Sequence, residues 1–204
     1  MRYAPQVAEQ KRKVSAGELA VRPYREIISN LRIQNAKELS DKSDTVGSFF
    51  DIFYGQKELH SRDGIPPGDS PVVSPTEQYN GTYGWLWFEP LIAAPFVTVA
   101  QTGTIGEAFV QLEPCAVNDD CLVLLPREGK LPMLFITAAI IRLERWRFTY
   151  GRKLTPSRIC SFPMQRMPHL EAWVAAEIER WAELWESAVG AYLNGGSVRV
   201  GARR

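Results

Sequence analysis

The spacing of apolar residues predicts a helix near each end of the chain and one in between. Near the N-terminus four apolar residues fall at helical spacing: Tyr24, Ile27, Ile28 and Leu31. This stripe predicts a helix that ends near Leu39. A second helical pattern covers residues 131–146. A third helix begins at Pro168, because proline is tolerated in the first helical turn, and its apolar stripe continues for about five turns.

The central segment of the chain, residues 96–120, predicts two short strands joined by a tight turn. Apolar runs start at Phe96 and Phe109, and the segment between them has a glycine at each end, Gly103 and Gly106. Glycine lets the backbone adopt conformations that are closed to other residues, so the strands and their turn should form a rigid platform. No obvious catalytic side chain lies in this platform, so the functional groups should lie elsewhere.

Shorter patterns complete the predicted secondary structure. Residues 121–126 predict a buried strand, and residues 159–162 predict a last strand. Residues 56–71 are predicted to be an irregular loop, because proline removes the N–H that a sheet ladder uses. Asn80-Gly81 is a strong turn signal, since both residues tolerate positive φ. This order of elements indicates a mixed α/β fold, in which a mixed β-sheet with packed helices is flanked by an N-terminal helix and a long C-terminal amphipathic helix.

Composition along the chain predicts four segments. The polar run over residues 40–44 marks a linker, so residues 1–45 form an N-terminal tail and helix, and residues 46–166 form the main domain. Residues 167–194 form the C-terminal amphipathic helix, and residues 195–204 form a disordered basic tail.

Composition and charge limit the functional classes without choosing among them. The chain has 204 residues, of which 45% are hydrophobic and 23% charged, and its formal net charge is +1. These values are typical of a folded globular protein that can bury a core, and the net charge by itself predicts no partner. Apolar runs fall short of the roughly 18 residues that a membrane span needs, and the N-terminus lacks a secretory signal, so we expect no membrane association.

The cysteines predict a protein of the reducing cytoplasm. Cys115, Cys121 and Cys160 form no CxxC pair and are odd in number, so a disulfide framework is not expected. Together with His60 and His169 they are too few and too scattered for a zinc site, and we expect no metal. The motifs of a phosphate loop, a hydrolytic triad and a methyltransferase pocket are missing from the sequence, so we expect no cofactor.

One catalytic alternative stays open from the sequence. Asp120, Glu128 and Lys130 occur in the order found in Mg²⁺-dependent nucleases, in which two carboxylates hold the metal and a lysine approaches the attacked phosphate. Glu128 and Lys130 flank a glycine in a loop between two prolines, where side chains are poorly fixed. A solvated turn is the favoured interpretation, because short motifs of this kind occur easily by chance, and the chain is predicted to be non-enzymatic.

Basic and polar side chains favour a nucleic-acid-binding surface. Six cations occur close together near the end of the second predicted helix and after it: Arg142, Arg145, Arg147, Arg152, Lys153 and Arg158. In sequence only Glu144 opposes them, and aromatic residues lie among them, as on surfaces that contact phosphates. Two polar loops supply side chains able to reach base edges: Gln56, Lys57, Arg62, Gln78, Tyr79, Asn80 and Tyr83. A solvated helix face with two loops would have the same composition, so both interpretations stay open.

Five short segments follow one another in the main domain, within residues 46–55, 72–84, 98–106, 117–124 and 148–159. They include Asn80-Gly81-Thr82-Tyr83-Gly84 and Phe148-Thr149-Tyr150-Gly151-Arg152-Lys153-Leu154. In this order they resemble the target recognition domain from the specificity subunits of type I restriction-modification systems. They are also similar to the related C-terminal specificity domain of single-chain restriction-methylation enzymes. The region that resembles this domain, from about Val46 to Met164, covers a little over half of the chain.

The resemblance implies a domain that reads one half of a split DNA target and has no catalysis of its own. Double-stranded DNA would be the ligand, and a DNA methyltransferase subunit or domain would be the partner. Full-length family members usually carry two such domains and this chain has one, which implies a homodimer or a detached domain that docks on a methyltransferase. Three tryptophans of the last helix are candidates for the protein interface: Trp173, Trp181 and Trp185. They would equally pack on the domain's own core, and an adaptor that uses this helix without binding DNA is a further alternative.

Overall fold

The computed structural model describes residues 45–128 and 130–193, and it shows a mixed α/β fold, as predicted. The helices are α1 (Val46–Phe49), α2 (Leu131–Leu143), α3 (Pro156–Cys160) and α4 (Pro168–Leu193). The strands are β1 (Phe50–Tyr54), β2 (Pro67–Val73), β3 (Thr82–Leu86), β4 (Phe96–Ala100), β5 (Ala108–Gln111), β6 (Ala116–Val117) and β7 (Cys121–Pro126). Three short 3₁₀ turns cover Lys57–Leu59, Tyr79–Gly81 and Arg145–Arg147.

The described residues belong to two compact units. One unit lies within residues 31–175, and the other contains the part of α4 from residue 176 onward. The predicted N-terminal helix that ends near Leu39 and the predicted basic tail, residues 195–204, lie outside the described residues. Within the described ranges, no helix has the length and apolar character needed to cross a membrane.

A four-stranded antiparallel sheet with the order β1-β7-β4-β5 forms the centre of the larger unit. Every residue of β4 is buried, because helix α2 packs against β4 and β5 and a second sheet covers the remaining face. The contact between the sheets is a core cluster that joins Phe96 and Val123 to Val73 and Val117. Burial of such side chains is the main stabilising contribution to the fold. The strand pair of the predicted platform and the buried strand 121–126 are confirmed.

The second sheet has three strands in the order β3-β2-β6, and it corrects the prediction of an irregular loop over residues 56–71. Pro67 and Pro71 both lie in β2. Strand β6 pairs with β2 only at Val72 and Val73. At both prolines, β2 is therefore paired on one side only, with β3, among the described residues. A proline without an N–H is accepted where one side of a strand is unpaired, and the register shift between Pro67 and Ser70 relieves the ladder further.

Two other predictions are wrong at the level of local structure. The predicted last strand, residues 159–162, overlaps helix α3, which Thr155 caps by accepting a bond from the backbone N–H of Arg158 at 3.4 Å. Pro156 suits the first turn of that helix. The second helix ends at Leu143, and a 3₁₀ turn replaces the predicted helical residues after Glu144. The last helix begins at Pro168 as predicted, and its 26 residues make about seven turns, of which the predicted apolar stripe covers about five.

The glycines of the platform have the backbone conformations that the sequence predicts. Gly103 has a φ of 58° and Gly106 a φ of 84°, both in the left-handed region. Gly106 is also needed for packing, since a Cβ there would lie 2.6 Å from Cβ of Arg145. The turn between β4 and β5 therefore fixes the position of the chain that follows α2.

Candidate nucleic-acid interface

Edge strand β5 lies between the two groups of predicted DNA-binding residues. The turn Tyr79–Gly81 lies against it, since a Cβ on Gly81 would be 3.2 Å from the Phe109 ring. At the end of α2, the guanidinium carbon of Arg142 lies 5.3 Å from the centroid of the same ring. Phe109 therefore connects the loop that contains Tyr79 with the basic segment that begins at Arg142.

A second contact connects the two polar loops. The guanidinium carbon of Arg62 lies 4.2 Å from the centroid of the Tyr83 ring, which is an attractive cation–π distance. Lys57, in the same loop as Arg62, and Gln78, in the loop that leads to Tyr83, are also exposed. Arg62 therefore contacts Tyr83, which follows the turn Tyr79–Gly81 along the chain, and this turn contacts Phe109, which in turn contacts Arg142. We call these residues, with the basic segment 142–158, the polar band.

Two of the predicted base-contacting residues, Gln56 and Asn80, are engaged by the scaffold. The Gln56 side chain donates to Pro90 O at 2.6 Å and accepts from the Val117 N–H at 3.0 Å. The Asn80 side chain donates to Val110 O at 3.1 Å. Side-chain amides committed to backbone partners stabilise the loops, and we therefore assign Gln56 and Asn80 a positioning role in place of the predicted base contact.

Arg142 and Arg145 are also engaged, by an acidic residue that the sequence did not associate with them. Glu107 has a side chain only 2% exposed, and its Oε2 lies 2.9 Å from Nε of Arg142. Its Oε1 accepts a bond from Nη1 of Arg145. A buried carboxylate requires a paired cation, so these two arginines balance a charge inside the fold. The sequence predicted Glu144 as the one acidic residue near these arginines. Glu107 was not predicted as a partner, because it is 38 positions from Arg145 in the sequence.

The remaining arginines converge on one shallow pocket of about 140 Å³. Its lining residues are Arg147, Phe148, Arg152, Arg158, Ser161, Phe162 and Pro163. Three of these residues are arginines, and arginine suits a phosphate ligand because its planar guanidinium fork binds two oxygens at once. The arginines were predicted from the sequence, whereas Ser161 and Phe162 were predicted to lie in a strand and not in the site.

The three arginines of this pocket differ in how strongly the protein already engages them. Arg147 pairs with Glu144 at 3.1 Å and lies over the Phe162 ring at 5.4 Å. Arg158 donates to the backbone oxygen of Lys153. The Arg152 side chain is exposed and has no bonded partner in the described parts of the chain. Arg152 is therefore the member with the most donors available for a ligand.

Exposed aromatic rings accompany the cations. Trp146 and Tyr150 lie within the basic segment and are 75% and 72% exposed. Lys153 approaches the Tyr150 ring at 6.0 Å. On α4, Trp173, Trp181 and Trp185 are all more than half exposed. Large exposed aromatic side chains are typical of surfaces that bind a partner, either a nucleic acid or a protein.

The residues of the alternative nuclease lie too far apart to share an ion. Asp120 precedes β7 and Glu128 follows it, so a six-residue strand separates them. At about 3.3 Å per residue, the strand alone spans roughly 20 Å, whereas two oxygens on one Mg²⁺ ion lie within about 4 Å. Glu128 also pairs with Lys130 at 3.5 Å and with Arg166 at 3.8 Å, so its side chain is less solvated than the sequence suggested.

A different group of possible metal ligands surrounds His60. Its Nδ1 lies 3.0 Å from Oδ1 of Asp119, and ligand atoms of His60, Asp119 and Asp120 lie within 4.8 Å of one another. This proximity was not predicted, because His60 and Asp119 are 59 positions apart in the sequence. Exposed groups of this kind are common without a metal, and a histidine–carboxylate hydrogen bond accounts for the contact.

Solved structures with a similar fold come from type I restriction-modification systems. The S subunit of such a system from M. genitalium has a TM-score of 0.52 and 14% sequence identity, covering 92% of this chain and 50% of that subunit. The HsdS subunit from Thermoanaerobacter tengcongensis has a TM-score of 0.47 and 12% identity, covering 93% and 52%. A structure that addresses complex assembly and conformational transition of the type I R-M system has a TM-score of 0.48 and 13% identity, with the same coverage.

The first of these similarities defines the class of fold. The chain is similar in structure to the specificity subunits of type I restriction-modification systems. It spans about half the length of the subunits it matches, which is consistent with one target recognition domain. The resemblance predicted from five short segments is thus confirmed at the level of the fold.

Sequence comparisons add nothing to this similarity. No protein-family model matches the chain, and no curated protein matches it. At 14% identity the similarity concerns the fold and not the roles of individual residues. The functions of the residues in the polar band therefore depend on their own geometry.

Proposed function

We propose that this chain is a non-catalytic DNA sequence-recognition module that directs a partner adenine methyltransferase or restriction complex to its target. The structural similarity to specificity subunits suggests a role in DNA target recognition. The observation that carries the proposal is the pocket lined by Arg147, Arg152 and Arg158 on a fold of this class. We assign recognition to residues 46–166 and partner docking to residues 167–194.

The proposed division of labour follows the chemistry of the polar band. Arg147, Arg152, Lys153 and Arg158 contact backbone phosphates, which position a protein on the duplex without reading its sequence. The polar loops then contact base edges through Lys57, Arg62, Gln78, Tyr79 and Tyr83. Base edges in the major groove carry a distinct pattern of donors and acceptors for each base pair. Arg62 suits this role, because its contact with the Tyr83 ring orients the guanidinium group.

The proposed partners follow from the class of fold and from the exposed side chains of α4. One target recognition domain reads one half of a split target, so a second half-site requires either a second copy of this chain or another recognition domain. Trp173, Trp181 and Trp185 on α4 are the proposed anchors for the homodimer or the methyltransferase, since exposed tryptophan is favoured at the centre of protein interfaces.

The dependence of DNA affinity on salt tests the phosphate contacts. Fluorescence anisotropy with a labelled duplex should give a binding constant that falls steeply with salt concentration. Arg147→Ala and Arg152→Ala should each reduce the slope of log K against log salt by about one unit. Arg127→Ala is the matched control, because Arg127 pairs with Asp51 on β1, at the opposite edge of the sheet from β5.

This experiment has a clear contradicting outcome. Undetectable or salt-independent binding, both for the chain by itself and in the presence of a type I methyltransferase subunit, would contradict the proposal. An equal loss of slope in Arg127→Ala would show that the arginines contribute only general charge. If the duplex binds as expected, mapping of modified bases after co-expression with the methyltransferase would identify the target and the partner together.

The exposed tryptophans of α4 favour a second candidate, a protein-interaction adaptor that does not bind DNA. In that case a partner would be retained in pull-down experiments by the wild-type chain and lost with Trp181→Ala. The Arg152→Ala variant would retain the same partner, and no duplex would bind. The two candidates therefore differ in which of these two substitutions removes the activity.

A further inference from the structure

Tyr79 has the most exposed ring among the large apolar side chains that the structure describes, at 81% exposure. It also has a φ of 52°, in the left-handed region that disfavours a residue with a Cβ. Its neighbour Asn80 has a φ of 57°, and within residues 45–128 and 130–193 these are the two non-glycine residues with positive φ. Such a conformation persists only when the surrounding structure enforces it, and it is frequent at functional sites.

A reciprocal amide contact enforces the turn under Tyr79. Asn80 Nδ2 donates to Gln111 Oε1 at 3.3 Å, and Gln111 Nε2 donates back to Asn80 O at 3.0 Å. Gln111 is buried and also donates to Thr98 Oγ1 at 3.0 Å in the neighbouring strand. Gly81 completes the turn, and its oxygen accepts a bond from the N–H of Ser74 at 2.9 Å. The backbone at Tyr79 is thus anchored to the edge of the four-stranded sheet.

The Tyr79 ring itself is unconstrained. In the described residues it has no hydrogen bond, ring contact or ion pair, whereas Tyr83 stacks with Arg62. The turn lies within the polar band, next to Phe109 and hence to Arg142. A duplex that follows the band from Arg62 to the arginine pocket would meet an aromatic ring on a rigid support.

We propose that Tyr79 is a specificity-determining residue whose ring stacks on the bases of one step of the duplex. The inference rests on the DNA-recognition function proposed above and goes beyond a contact with base edges. An inserted ring partly unstacks a base step, and the free-energy cost depends on sequence, since pyrimidine–purine steps deform most easily. The chain would thereby select its target by deformability as well as by hydrogen bonds. The ring performs this role, and the hydroxyl group does not.

Fluorescence of 2-aminopurine tests this role, because the base becomes brighter when it is unstacked. The probe is a duplex obtained by selection from a random library, with 2-aminopurine placed at each adenine in turn. Wild-type protein should increase the fluorescence at one step, and Tyr79→Phe should do the same. Tyr79→Ala should abolish the increase and weaken target binding by about 10- to 100-fold, the range expected for one base–aromatic stack. Tyr54→Ala, which removes an exposed ring from β1 at the opposite edge of the sheet from β5, is the matched control and should retain the signal.

The outcomes separate this inference from the proposed function. If Tyr79→Phe loses the signal as Tyr79→Ala does, the hydroxyl group is required and the stacking role is wrong. If wild-type protein binds the duplex with a steep salt dependence but changes no 2-aminopurine signal, the inference is wrong and the proposed function stands. If no duplex binds, either to the chain by itself or in the presence of a type I methyltransferase subunit, both are wrong.

Discussion

The guanidinium group of Arg62 lies over the ring of Tyr83, with 4.2 Å between the guanidinium carbon and the ring centroid. The contact joins the loop that follows β1 to strand β3, although the two residues are far apart in sequence. It keeps a long, flexible side chain extended along a ring instead of free in solvent. Arg62 can therefore present its donors to a base edge with less loss of side-chain entropy on binding.

This contact predicts that Tyr83 acts on DNA through Arg62. Tyr83→Ala should weaken DNA binding, and a double-mutant cycle with Arg62→Ala should give a coupling of about 0.5–1 kcal/mol, the range for an exposed cation–π pair. Tyr83→Phe is the control, because it retains the ring. Additive losses in the cycle, measured by anisotropy, would mean that the two residues contribute to binding independently.

A second prediction separates arginines that stabilise the fold from arginines that are available to DNA. Replacing both Arg142 and Arg145 with alanine leaves the Glu107 carboxylate buried without a cation. The free energy of unfolding in urea should then fall by about 3–5 kcal/mol. The control is the double variant with Arg152→Ala and Lys153→Ala. Each of these substitutions should change the free energy of unfolding by no more than about 0.5 kcal/mol, as is usual for surface sites. Equal stability of the two double variants would contradict the assignment.

A third prediction concerns the turn that positions the basic segment. Gly106→Ala combines a φ of 84° with a Cβ 2.6 Å from Cβ of Arg145, so the free energy of unfolding should fall by about 1–3 kcal/mol. Gly84→Ala in β3 is the control, because a Cβ there meets no atom within 4 Å and the φ is ordinary. Thermal denaturation should therefore separate the two variants, and matching losses would contradict the geometry of the turn.

A fourth prediction concerns the three thiols, all of which are free. Burial raises the pKa of the Cys115 thiol to about 12, and burial also raises the pKa of Cys121, with smaller effects of nearby charges. Both thiols therefore stay protonated and unreactive at pH 8, whereas Cys160 is exposed. In the native protein at pH 8, one thiol per chain, that of Cys160, should react quickly with a thiol reagent. The thiols of Cys115 and Cys121 should react only after denaturation. Rapid labelling of Cys115 in the native protein would contradict the described core.

The same burial predicts how stability depends on alkaline pH. A thiol whose pKa is raised in the folded state binds its proton more tightly there than in the unfolded chain. Its contribution is fully present below the ordinary thiol pKa of 9.0 and is lost as pH rises through the folded value of about 12 for Cys115. The free energy of unfolding, measured between pH 8 and pH 11, should therefore decrease over this interval, and Cys115→Ala should reduce the decrease.

Signals confined to a few residues were sufficient to predict much of the fold. The glycines of the β4–β5 turn, Pro168 at the start of α4, and Asn80-Gly81 in a turn each act through the φ that the residue allows. These predictions hold because the physical cause lies within the residue itself. The fold class also followed from such patterns, since strand and helix periodicities differ.

Features that depend on distant partners were not predictable from the sequence. Strand β2 contains two prolines and forms only because β3 supplies a partner on one side. Helix α3 replaced a predicted strand, since its apolar residues were too few to show a helical period. Glu107 binds Arg142 and Arg145 through a contact that only the packing of α2 on β5 creates. Tertiary packing decided each of these cases over local propensity.

The candidate site shows the same division. The basic segment was predicted from the sequence as one cluster of cations. Three of its arginines line one pocket: Arg147, Arg152 and Arg158. The polar loops were identified by composition, but composition could not show that the amides of Gln56 and Asn80 bind the backbone. Which polar side chains are available to a ligand depends on hydrogen-bond partners that only the folded chain supplies.

Selection from a random-sequence duplex library, followed by sequencing, tests the central claim most directly. Wild-type protein, with or without a type I methyltransferase subunit, should enrich one short sequence. The double variant with Arg147→Ala and Arg152→Ala should recover far less DNA at the same protein concentration, because two phosphate contacts are lost. A pool that stays random over repeated rounds with folded wild-type protein, in both the presence and the absence of that subunit, would contradict sequence recognition by this chain.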